Sequence, residues 1–285
     1  MSYLDHKGVR LWYESSGTTG TPVVLIMGFG GRGAFWEPQL EGLSGAHRLL
    51  WFDNRGIGES DSPRGLSTTR DMARDVIALM DSLGWSTAHV VGMSLGGMVA
   101  QEVALGYRHR VRSLSLIATT AFGLRGGLST PQAVPVFFGT FAGPRRTRAL
   151  AAGRILFTRA FLKEGGASLL ESIFDERFDP MFTPRGFLTH LFAVIFHNTE
   201  KRLPQLAGMP TLVCWGEDDK LIKARESHQI AAKIPGVKTL GFTNTGHGVN
   251  WQHKEELNRA LLAHFAEADA LIASPPGAEE SRAGH

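Results

Sequence analysis

Short apolar runs alternate along the chain with longer segments in which apolar residues recur at helical spacing. The apolar runs predict seven strands, at residues 9–15, 22–27, 48–53, 88–93, 111–118, 210–216 and 237–242. The helical periodicity predicts helices near residues 34–44, 68–83, 95–107, 222–233 and 253–268. This alternation is typical of a mostly parallel sheet covered by helices, so the pattern predicts an α/β protein.

One interval, residues 122–208, interrupts this alternation. It has no strong strand pattern, and its helix-like stretches are separated by Gly and Pro. The interval holds 12 of the 17 phenylalanines, including Phe137, Phe138, Phe141, Phe157, Phe161, Phe192 and Phe196. So many aromatic residues in a helical insertion predict a cap with an apolar underside. The predicted organisation is a core of residues 1–121 and 209–272, a cap of residues 122–208, and a disordered, Pro- and Gly-rich tail of residues 273–285.

Composition narrows the classes of protein that this chain can represent. Its 285 residues, 43% hydrophobic and 20% charged, are those of an ordinary globular protein with a large core. The net charge is only +3 and no run of Lys and Arg is dense, so no nucleic-acid partner is expected. The N-terminus lacks the pattern of a secretory signal, and no apolar run reaches the roughly 20 residues of a membrane span. A cytoplasmic location is therefore predicted.

The single cysteine, Cys214, excludes an internal disulfide and lies in an apolar run, where it is expected to be a buried core residue. Cysteines and histidines do not cluster at the spacing of metal ligands. The sequence therefore predicts neither a metal site nor a cofactor, and a small molecule is the expected substrate.

The segment Gly92-Met93-Ser94-Leu95-Gly96 places one serine between glycines, after a predicted strand and before a predicted helix. A strand that turns abruptly into a helix strains the backbone of the residue at the turn, and flanking glycines make room for it. The serine oxygen then stands exposed at the carboxyl edge of the sheet. The pattern predicts that Ser94 is a catalytic nucleophile.

Two titratable residues follow other predicted strands at the same edge. Asp219 stands three residues after the strand 210–216, and His247 lies between two glycines after the strand 237–242. Because ligand sites in open parallel sheets form outside the carboxyl ends of the strands, both residues are expected to meet Ser94. The histidine would take the serine proton while the carboxylate orients the imidazole, so the three residues predict a catalytic triad.

Other residues offer alternative assignments. Asp218 is a second candidate for the orienting acid, and His253, at the start of the last predicted helix, is a weaker candidate base. His190, His197 and His228 follow no predicted strand and are expected at the surface or in the cap.

A further alternative combines Asp53 and His89 with Ser94 in the chain order of a subtilisin-like triad. His89 precedes Ser94 by five residues of extended strand, roughly 16 Å. It is therefore expected at the wrong end of the sheet.

Acyl transfer also requires donors for a developing oxyanion. The backbone N–H of Leu95, directly after the serine, is one candidate. The loop Gly28-Phe29-Gly30-Gly31 follows the strand 22–27 at the same edge, and its glycines allow the N–H of Phe29 to approach the substrate. Phe29 and Leu95 are therefore the predicted oxyanion donors.

These features together resemble the α/β-hydrolase superfamily over nearly the whole chain. The stretch FDNRGIGESD, residues 52–61, is similar to the Asp-x-Arg-Gly-x-Gly-x-Ser segment of its cofactor-free, capped members, in which that segment is mainly structural. The resemblance implies an eight-stranded, mostly parallel sheet with a helical cap inserted after the sixth strand. The motifs GMSLGGMVAQEVAL and DNRGIGESD look most like those of 3-oxoadipate enol-lactonases and related small esterases.

The resemblance also implies roles for individual residues. Ser94 takes the place of the family's nucleophile, Asp219 that of its acid and His247 that of its base, while Phe29 and Leu95 take the places of its oxyanion donors. The chain departs from the family in one respect, since many members carry His-Gly before the variable oxyanion residue and this chain carries Met27-Gly28. Because the donor is a backbone N–H, its geometry can survive that change.

The expected activity is hydrolysis of a small or medium carboxylic ester or lactone through an acyl-enzyme on Ser94. The same triad is compatible with C–C bond hydrolases, perhydrolases and hydroxynitrile lyases, whereas haloalkane dehalogenases and epoxide hydrolases use an aspartate in place of the serine. A non-catalytic ligand-binding protein on this scaffold is the alternative from another class, and lipase action at a lipid surface is a third. Residues 122–208 carry 11 Lys and Arg against 6 Asp and Glu, which fits an anionic substrate or an ordinary solvated surface.

Overall fold

The computed structural model describes residues 2–126, 139, 143–173 and 182–274. Eight strands form one sheet in the order β1-β2-β4-β3-β5-β6-β7-β8. Strand β2 pairs antiparallel with β1 and β4, and the other neighbouring strands are parallel. The strands are β1 Ser2–His6, β2 Val9–Ser16, β3 Pro22–Ile26, β4 Arg48–Phe52, β5 Ala88–Met93, β6 Val111–Ile117, β7 Thr211–Gly216 and β8 Lys238–Phe242.

The hydrophobic pattern predicted β2 to β8 but missed β1. This strand pairs with β2 at the edge of the sheet, and three of its five side chains are exposed. A strand in that position needs no continuous apolar run, so periodicity alone does not detect it. The eight-stranded, mostly parallel sheet that the resemblance implied is confirmed.

Helices connect the strands and cover both faces of the sheet. Within the described residues the α-helices are α1 Glu37–Leu43, α2 Thr69–Ser82, α3 Leu95–Gly106, α4 Gly123–Gly126, α5 Arg145–Leu156, α6 Arg159–Ile173, α7 Pro184–Ile195, α8 Ala224–Lys233, α9 Val249–Gln252 and α10 Lys254–Ala273. The five helices predicted from periodicity correspond to α1, α2, α3, α8 and α10. Helix α2 begins with a capping box, in which Thr68 and Asp71 each accept the other's backbone N–H.

Alternate residues of the central strands enter two layers of core. In β3, Val24 and Ile26 pack in the layer that contains α2 and α3, whereas Val23 and Leu25 pack in the layer that contains α1 and α10. Burial on both faces is the reason that this strand reads as a continuous apolar run. Cys214 of β7 is fully buried as predicted, and burial raises the pKa of its thiol to about 12.

The interval between β6 and β7 contributes helices α4 to α7. Its two ends meet, because the N–H of Gly123 donates to the carbonyl of His197 and the N–H of Thr199 donates to the carbonyl of Ala121, at 3.0 and 2.9 Å. The boundaries proposed for a cap, residues 122–208, remain a prediction. Phe137, Phe138 and Phe141 lie outside the described residues, as do residues 275–285 of the predicted tail, whereas α10 extends to Ala273.

Helix α7 packs directly against the loop that follows β4. A Cβ atom on Gly186 would lie only 1.9 Å from the carbonyl oxygen of Gly56, so the two backbones touch where both residues lack a side chain. At the start of the helix, the hydroxyls of Thr183 and Ser62 are hydrogen-bonded at 2.6 Å. These contacts hold α7 above the carboxyl edge of the sheet. Among the residues that the structure describes, no helix has the length and apolar character required to cross a bilayer.

Candidate active site

Ser94 occupies a strained turn between β5 and α3. Its backbone has φ 57° and ψ −124°, a conformation that non-glycine residues rarely adopt. The turn is held by hydrogen bonds on both sides, because the N–H of Ser94 donates to Ile117 at 2.9 Å and the hydroxyl of Thr119 donates to the Ser94 carbonyl at 2.7 Å. The side chain stands at the carboxyl edge of the sheet, as predicted for a nucleophile on a strand–turn–helix.

The glycines around Ser94 are required by close backbone contacts. A Cβ atom on Gly92 would lie 2.2 Å from the carbonyl oxygen of Gly96, and one on Gly96 would lie 2.0 Å from the carbonyl oxygen of Ile26. Because backbone atoms form these contacts, they cannot be relieved by rotating a side chain. Helix α3 therefore starts directly against β3, and this brings its first residues next to the loop after that strand.

Gly96→Ala is expected to destabilise the fold by about 2 kcal/mol or more, because the added methyl group collides with the backbone of β3. Gly106→Ala, in the last residue of the same helix, is the matched control, since a Cβ atom there has no neighbour within 4 Å. Alanine is favoured over glycine in helices, so this control is expected to be neutral or more stable by up to about 1 kcal/mol. Urea unfolding measures the free energy of unfolding of both variants. Equal values would contradict the close contact between Gly96 and the backbone of Ile26.

The loop Gly28–Gly31 lies directly beside Ser94. A Cβ atom on Gly28 would approach the Cβ of Ser94 to 2.8 Å and its Oγ to 3.3 Å. The N–H of Gly31 donates to the carbonyl of Gly28 at 3.1 Å, and Gly30 has φ 68°, so the loop is a tight turn that ends the strand. The predicted donors Phe29 and Leu95 follow Gly28 and Ser94 in these two turns. Leu95 is the first residue of α3, where backbone N–H groups have no acceptor within the helix.

Asp219 and His247 form a buried hydrogen-bonded pair. The Nδ1 atom of His247 lies 2.7 Å from Oδ2 of Asp219, and both side chains are almost fully buried. The other carboxylate oxygen, Oδ1, accepts the backbone N–H groups of Leu221 and Ile222 at 2.8 and 3.0 Å. These three contacts fix the orientation of the carboxylate. They also leave Nε2 as the ring nitrogen of His247 that is available for proton transfer.

The alternative candidates lie elsewhere. Asp218 is exposed to solvent, whereas the adjoining Asp219 points inward. His253 is one-third exposed, with Nδ1 3.4 Å from the carboxylate of Glu256. The geometry therefore favours Asp219 and His247 over both neighbours.

His89 lies at the opposite end of β5 from Ser94, as expected. Its ring nitrogens contact the hydroxyls of Ser113 at 2.8 Å and Thr21 at 3.1 Å, with Asp269 at 3.2 Å. Burial lowers its pKa to about 4, so it is neutral at pH 7. This buried cluster ties the start of β5 to α10.

Asp53 and Arg55 hold loops together. Asp53 is fully buried, and its carboxylate accepts the N–H groups of Gly33 and Glu59 at 2.8 and 3.0 Å. Arg55 donates two hydrogen bonds of 2.6 Å to Asp75. Both side chains thus have the structural role that the resemblance implied for residues 52–61.

Sequence reasoning did not predict the burial of two histidines or the contact of one of them with the loop beside Ser94. His190 and His197 lie in the cap interval as expected, but both are almost fully buried, and only His228 is exposed. His190 contacts the loop that carries Phe29, since its Nδ1 lies 3.3 Å from the N–H nitrogen of Gly30. A separation of 160 residues between these partners leaves no local signal in the sequence.

The end of α5 lies against the loop of His247. The carbonyl of Leu156 accepts the N–H of Gly248 at 2.7 Å, and the ring of Phe157 occupies the space where a Gly248 side chain would stand. Leu156 also packs against a cluster that contains Leu221 and Ile222, the two residues whose N–H groups bind Asp219. The helical interval therefore supports the loops of both members of the Asp219–His247 pair.

Comparison with known proteins identifies the family that has this fold. Residues 21–254 match the sequence profile of the α/β-hydrolase fold family. The chain belongs to the α/β-hydrolase family. In the part of this α/β hydrolase that the structure describes, no group of three or more His, Cys, Asp or Glu side chains is arranged to hold a metal ion.

The relatives of this α/β hydrolase are named for several different activities. It is 28% identical to "Putative carbamate hydrolase RutD" of Azorhizobium caulinodans, over 94% of this chain and the whole of the relative. It is also 28% identical to the 2-hydroxy-6-oxononadienedioate/2-hydroxy-6-oxononatrienedioate hydrolase of Burkholderia vietnamiensis, over 90% of this chain and 91% of the relative. The enol-lactonase of Burkholderia xenovorans LB400 shares the fold with a TM-score of 0.81 at 23% identity, over 93% of this chain and all of that one.

Proposed function

We propose that this α/β hydrolase is a serine hydrolase that cleaves small or medium carboxylic esters or lactones through an acyl-enzyme on Ser94. The observation that carries the proposal is the 2.7 Å contact between Asp219 and His247, buried at the strand edge where the strained turn exposes Ser94. A buried acid–imidazole pair at the same strand edge as a serine on such a turn is the arrangement expected to activate the hydroxyl as a nucleophile.

In the proposed reaction, Nε2 of His247 accepts the hydroxyl proton as Ser94 Oγ attacks the substrate carbonyl. Asp219 accepts the Nδ1–H hydrogen bond and stabilises the imidazolium that forms. Collapse of the tetrahedral intermediate breaks the bond to the leaving alcohol, which receives the proton from Nε2. A water molecule then loses its proton to His247, attacks the acyl-enzyme and releases the acid, and Ser94 regains its proton.

The oxyanion of the tetrahedral intermediate is proposed to accept hydrogen bonds from the backbone N–H groups of Leu95 and Phe29. Leu95 is the first residue of α3, so its N–H also carries the positive end of the helix dipole. The Gly28 contact with Ser94 supports the role of Phe29, since it brings the next residue of the loop beside the reacting carbonyl. Donors of this kind are each worth about 10²- to 10³-fold in kcat.

The substrate's acyl part is proposed to lie against aromatic side chains. The ring of Phe29 packs against those of Phe182 and Phe187, with ring centres 5.6 and 5.5 Å apart. Phe187 lies on α7, above the carboxyl edge of the sheet. This wall favours substrates with an apolar acyl group, in agreement with an ester or lactone of small or medium size.

Fluorophosphonate labelling and a substrate panel test the proposal. We expect the probe to modify Ser94, and we expect turnover of p-nitrophenyl esters or of lactones from a panel graded by chain length and charge. Failure to label Ser94, together with no hydrolysis across the panel, would refute the assignment and would favour a ligand-binding protein.

C–C bond hydrolysis is the second candidate, because the relative from Burkholderia vietnamiensis is named a 2-hydroxy-6-oxononadienedioate/2-hydroxy-6-oxononatrienedioate hydrolase. A vinylogous diketone assayed beside p-nitrophenyl acetate separates the two activities. Preference for the diketone, measured as kcat/KM, would replace the ester assignment while leaving the roles of the triad in place.

Asp219→Asn is expected to lower kcat by about 10³- to 10⁴-fold. In wild type, Oδ1 accepts two backbone N–H groups, so the amide oxygen of the variant keeps that side and its NH₂ group faces His247. The imidazole is then held in the tautomer that cannot accept the serine proton. Asp218→Asn is the matched control, because that side chain is exposed, and it is expected to retain wild-type kcat. Equal activities of the two variants would contradict the role of Asp219.

A further inference from the structure

The loop that carries Phe29 depends on the orientation of one peptide. The N–H of Gly31 donates to the carbonyl of Gly28, and Gly30, the third residue of this turn, has φ 68°. A positive φ at the third position is the signature of a type II turn, whose central peptide is flipped relative to that of a type I turn. The N–H of this central peptide belongs to Gly30, so a partner for that N–H selects the type II form.

That partner is His190, a histidine of the cap helix α7. Its Nδ1 accepts the N–H of Gly30 at 3.3 Å, and its Nε2–H donates to the carbonyl of Arg55 at 3.0 Å. The ring also meets the ring of Phe29 edge-on, with centres 5.4 Å apart. Burial lowers the pKa of His190 to about 4, so at neutral pH the ring is uncharged and the Nδ1 lone pair remains an acceptor.

We propose that His190 is a positioning residue for the oxyanion hole. By holding the Phe29–Gly30 peptide and the ring of Phe29, it fixes the Cα atom of Phe29 and thereby the position of the preceding peptide, whose N–H is the proposed Phe29 donor. This inference rests on the proposed function, in which Ser94 is the nucleophile and Phe29 an oxyanion donor. It gives the cap helix a part in the chemistry in addition to covering the site.

The support beneath His190 is rigid enough for this role. Helix α7 touches the loop after β4 at Gly56 and Gly186, and four residues later His190 binds the carbonyl of Arg55 in the same loop. Arg55 is itself held by Asp75 through two 2.6 Å hydrogen bonds. Oxyanion donors must be held within about 0.5 Å of the productive position, so loss of the contact to Gly30 is expected to reduce rate before it reduces binding.

Two isosteric substitutions separate the two hydrogen bonds of His190. The amide oxygen of asparagine stands at the same number of bonds from Cβ as Nδ1, so His190→Asn keeps an acceptor for Gly30 and loses the donor to Arg55. The amide of glutamine reaches the position of Nε2, so His190→Gln keeps a donor for Arg55 and loses the acceptor for Gly30. Both variants remain polar and uncharged, which makes each the control for the other.

We expect His190→Gln to lower kcat for p-nitrophenyl acetate by about 10- to 100-fold, while its KM stays within about 3-fold of the wild-type value. We expect the kcat of His190→Asn to stay within about 3-fold of the wild-type value. Active sites are counted with a fluorophosphonate, so that misfolded protein does not affect kcat. A boronic acid, whose tetrahedral adduct on serine places an oxygen in the oxyanion hole, is expected to bind His190→Gln more weakly by the same factor. His197→Gln, a buried histidine hydrogen-bonded to Thr69 at 3.1 Å, controls for a general effect on the cap.

Equal kcat values for the Asn and Gln variants, or the same loss in His197→Gln, would overturn the proposal for His190. Failure of the boronic acid to inhibit wild type would instead refute Ser94 as the nucleophile, so the two outcomes are distinct. A measurement on wild type needs no variant to fold: NMR of ¹⁵N-histidine-labelled protein at pH 7 must show His190 as the neutral Nε2–H tautomer. A charged ring or an Nδ1–H tautomer would also overturn the proposal.

Discussion

Ser94→Ala is expected to lower kcat/KM for p-nitrophenyl esters by at least about 10³-fold, because no other group replaces the nucleophile and residual rate comes from the oxyanion donors and binding alone. The substitution removes one oxygen and keeps the Cβ atom. The strained φ of 57° is therefore equally costly for both residues, and the stability is expected to change by less than about 0.5 kcal/mol. Steady-state kinetics and urea unfolding measure the two effects.

Ser115→Ala is the matched control for removal of a serine hydroxyl. Ser115 lies on β6, next to β5, and is fully buried. Its hydroxyl has no hydrogen-bond partner among the residues that the structure describes, so alanine is expected to leave activity unchanged and stability equal or slightly higher. Hydrolysis by Ser94→Ala at a rate comparable with that of Ser115→Ala would rule out the acyl-enzyme mechanism.

As the pH is lowered, this protein is expected to unfold at pH values well above those at which carboxylates become protonated. Burial lowers the pKa values of four histidines, to about 4 for His89, His190 and His264 and to about 3 for His197. In the unfolded chain each has a pKa near 6.5. Between pH 6.5 and about 4 the unfolded chain therefore binds more protons, so the free energy of unfolding falls as the pH falls.

The size of this effect follows from the number of groups. Each histidine contributes about 1.4 kcal/mol per pH unit in this window, so the four together remove an amount comparable with the whole stability of a domain, about 5–15 kcal/mol. Burial also raises the pKa of Asp53, against the opposing charge of Arg32, and this carboxyl group offsets part of the loss. Burial raises the pKa of Asp269, but its hydrogen bonds from Arg112 and Thr21 and its interactions with the charges of His89 and Arg112 together lower it by more. Asp269 therefore adds to the loss only near pH 4 and below.

Urea unfolding followed by tryptophan fluorescence between pH 7.5 and 4.5 measures the dependence. His197→Gln is expected to reduce the slope by about 1.4 kcal/mol per pH unit, whatever its effect on stability at pH 7.5. His228→Gln, at an exposed histidine, is the control and is expected to keep the wild-type slope. A stability that stays constant between pH 6.5 and 5 would contradict the neutral, buried state of these side chains.

The fold was predicted from the pattern of apolar and polar residues in short segments of the chain. Strands β2 to β7 are buried on one or both faces, so each has the apolar side chains from which periodicity detects a strand. The edge strand β8 is mostly exposed but still buries Phe242 and part of Leu240. Periodicity did not detect the other edge strand, β1, because its residues are mostly exposed and none is fully buried. The turn at Ser94 was also predictable from local sequence. The close approach of α3 to β3 permits only glycine at position 96, and this glycine lies two residues from the serine, so a short motif reveals the turn.

Contacts between distant residues had no such signal. Asp218 and Asp219 both follow β7, and only the path of the loop turns Asp219 inward to His247 and leaves Asp218 in solvent. His190 was expected at the surface or in the cap, but the docking of α7 at Gly56 buries it against the loop of Phe29. A histidine's partners depend on the neighbours that packing provides, and periodicity along the chain does not encode them.

The sequence by itself thus determined the α/β class, the strand order along the chain, and the set of residues that stand after strand ends, because each depends on a few consecutive side chains. The tertiary structure alone decided which of these residues meet, which histidines are buried, and how helix α7 contacts the loop beside Ser94. Those properties arise when segments far apart in the chain pack together, 160 residues apart in the case of Gly30 and His190, and desolvation and hydrogen bonding then act on groups that share no local pattern.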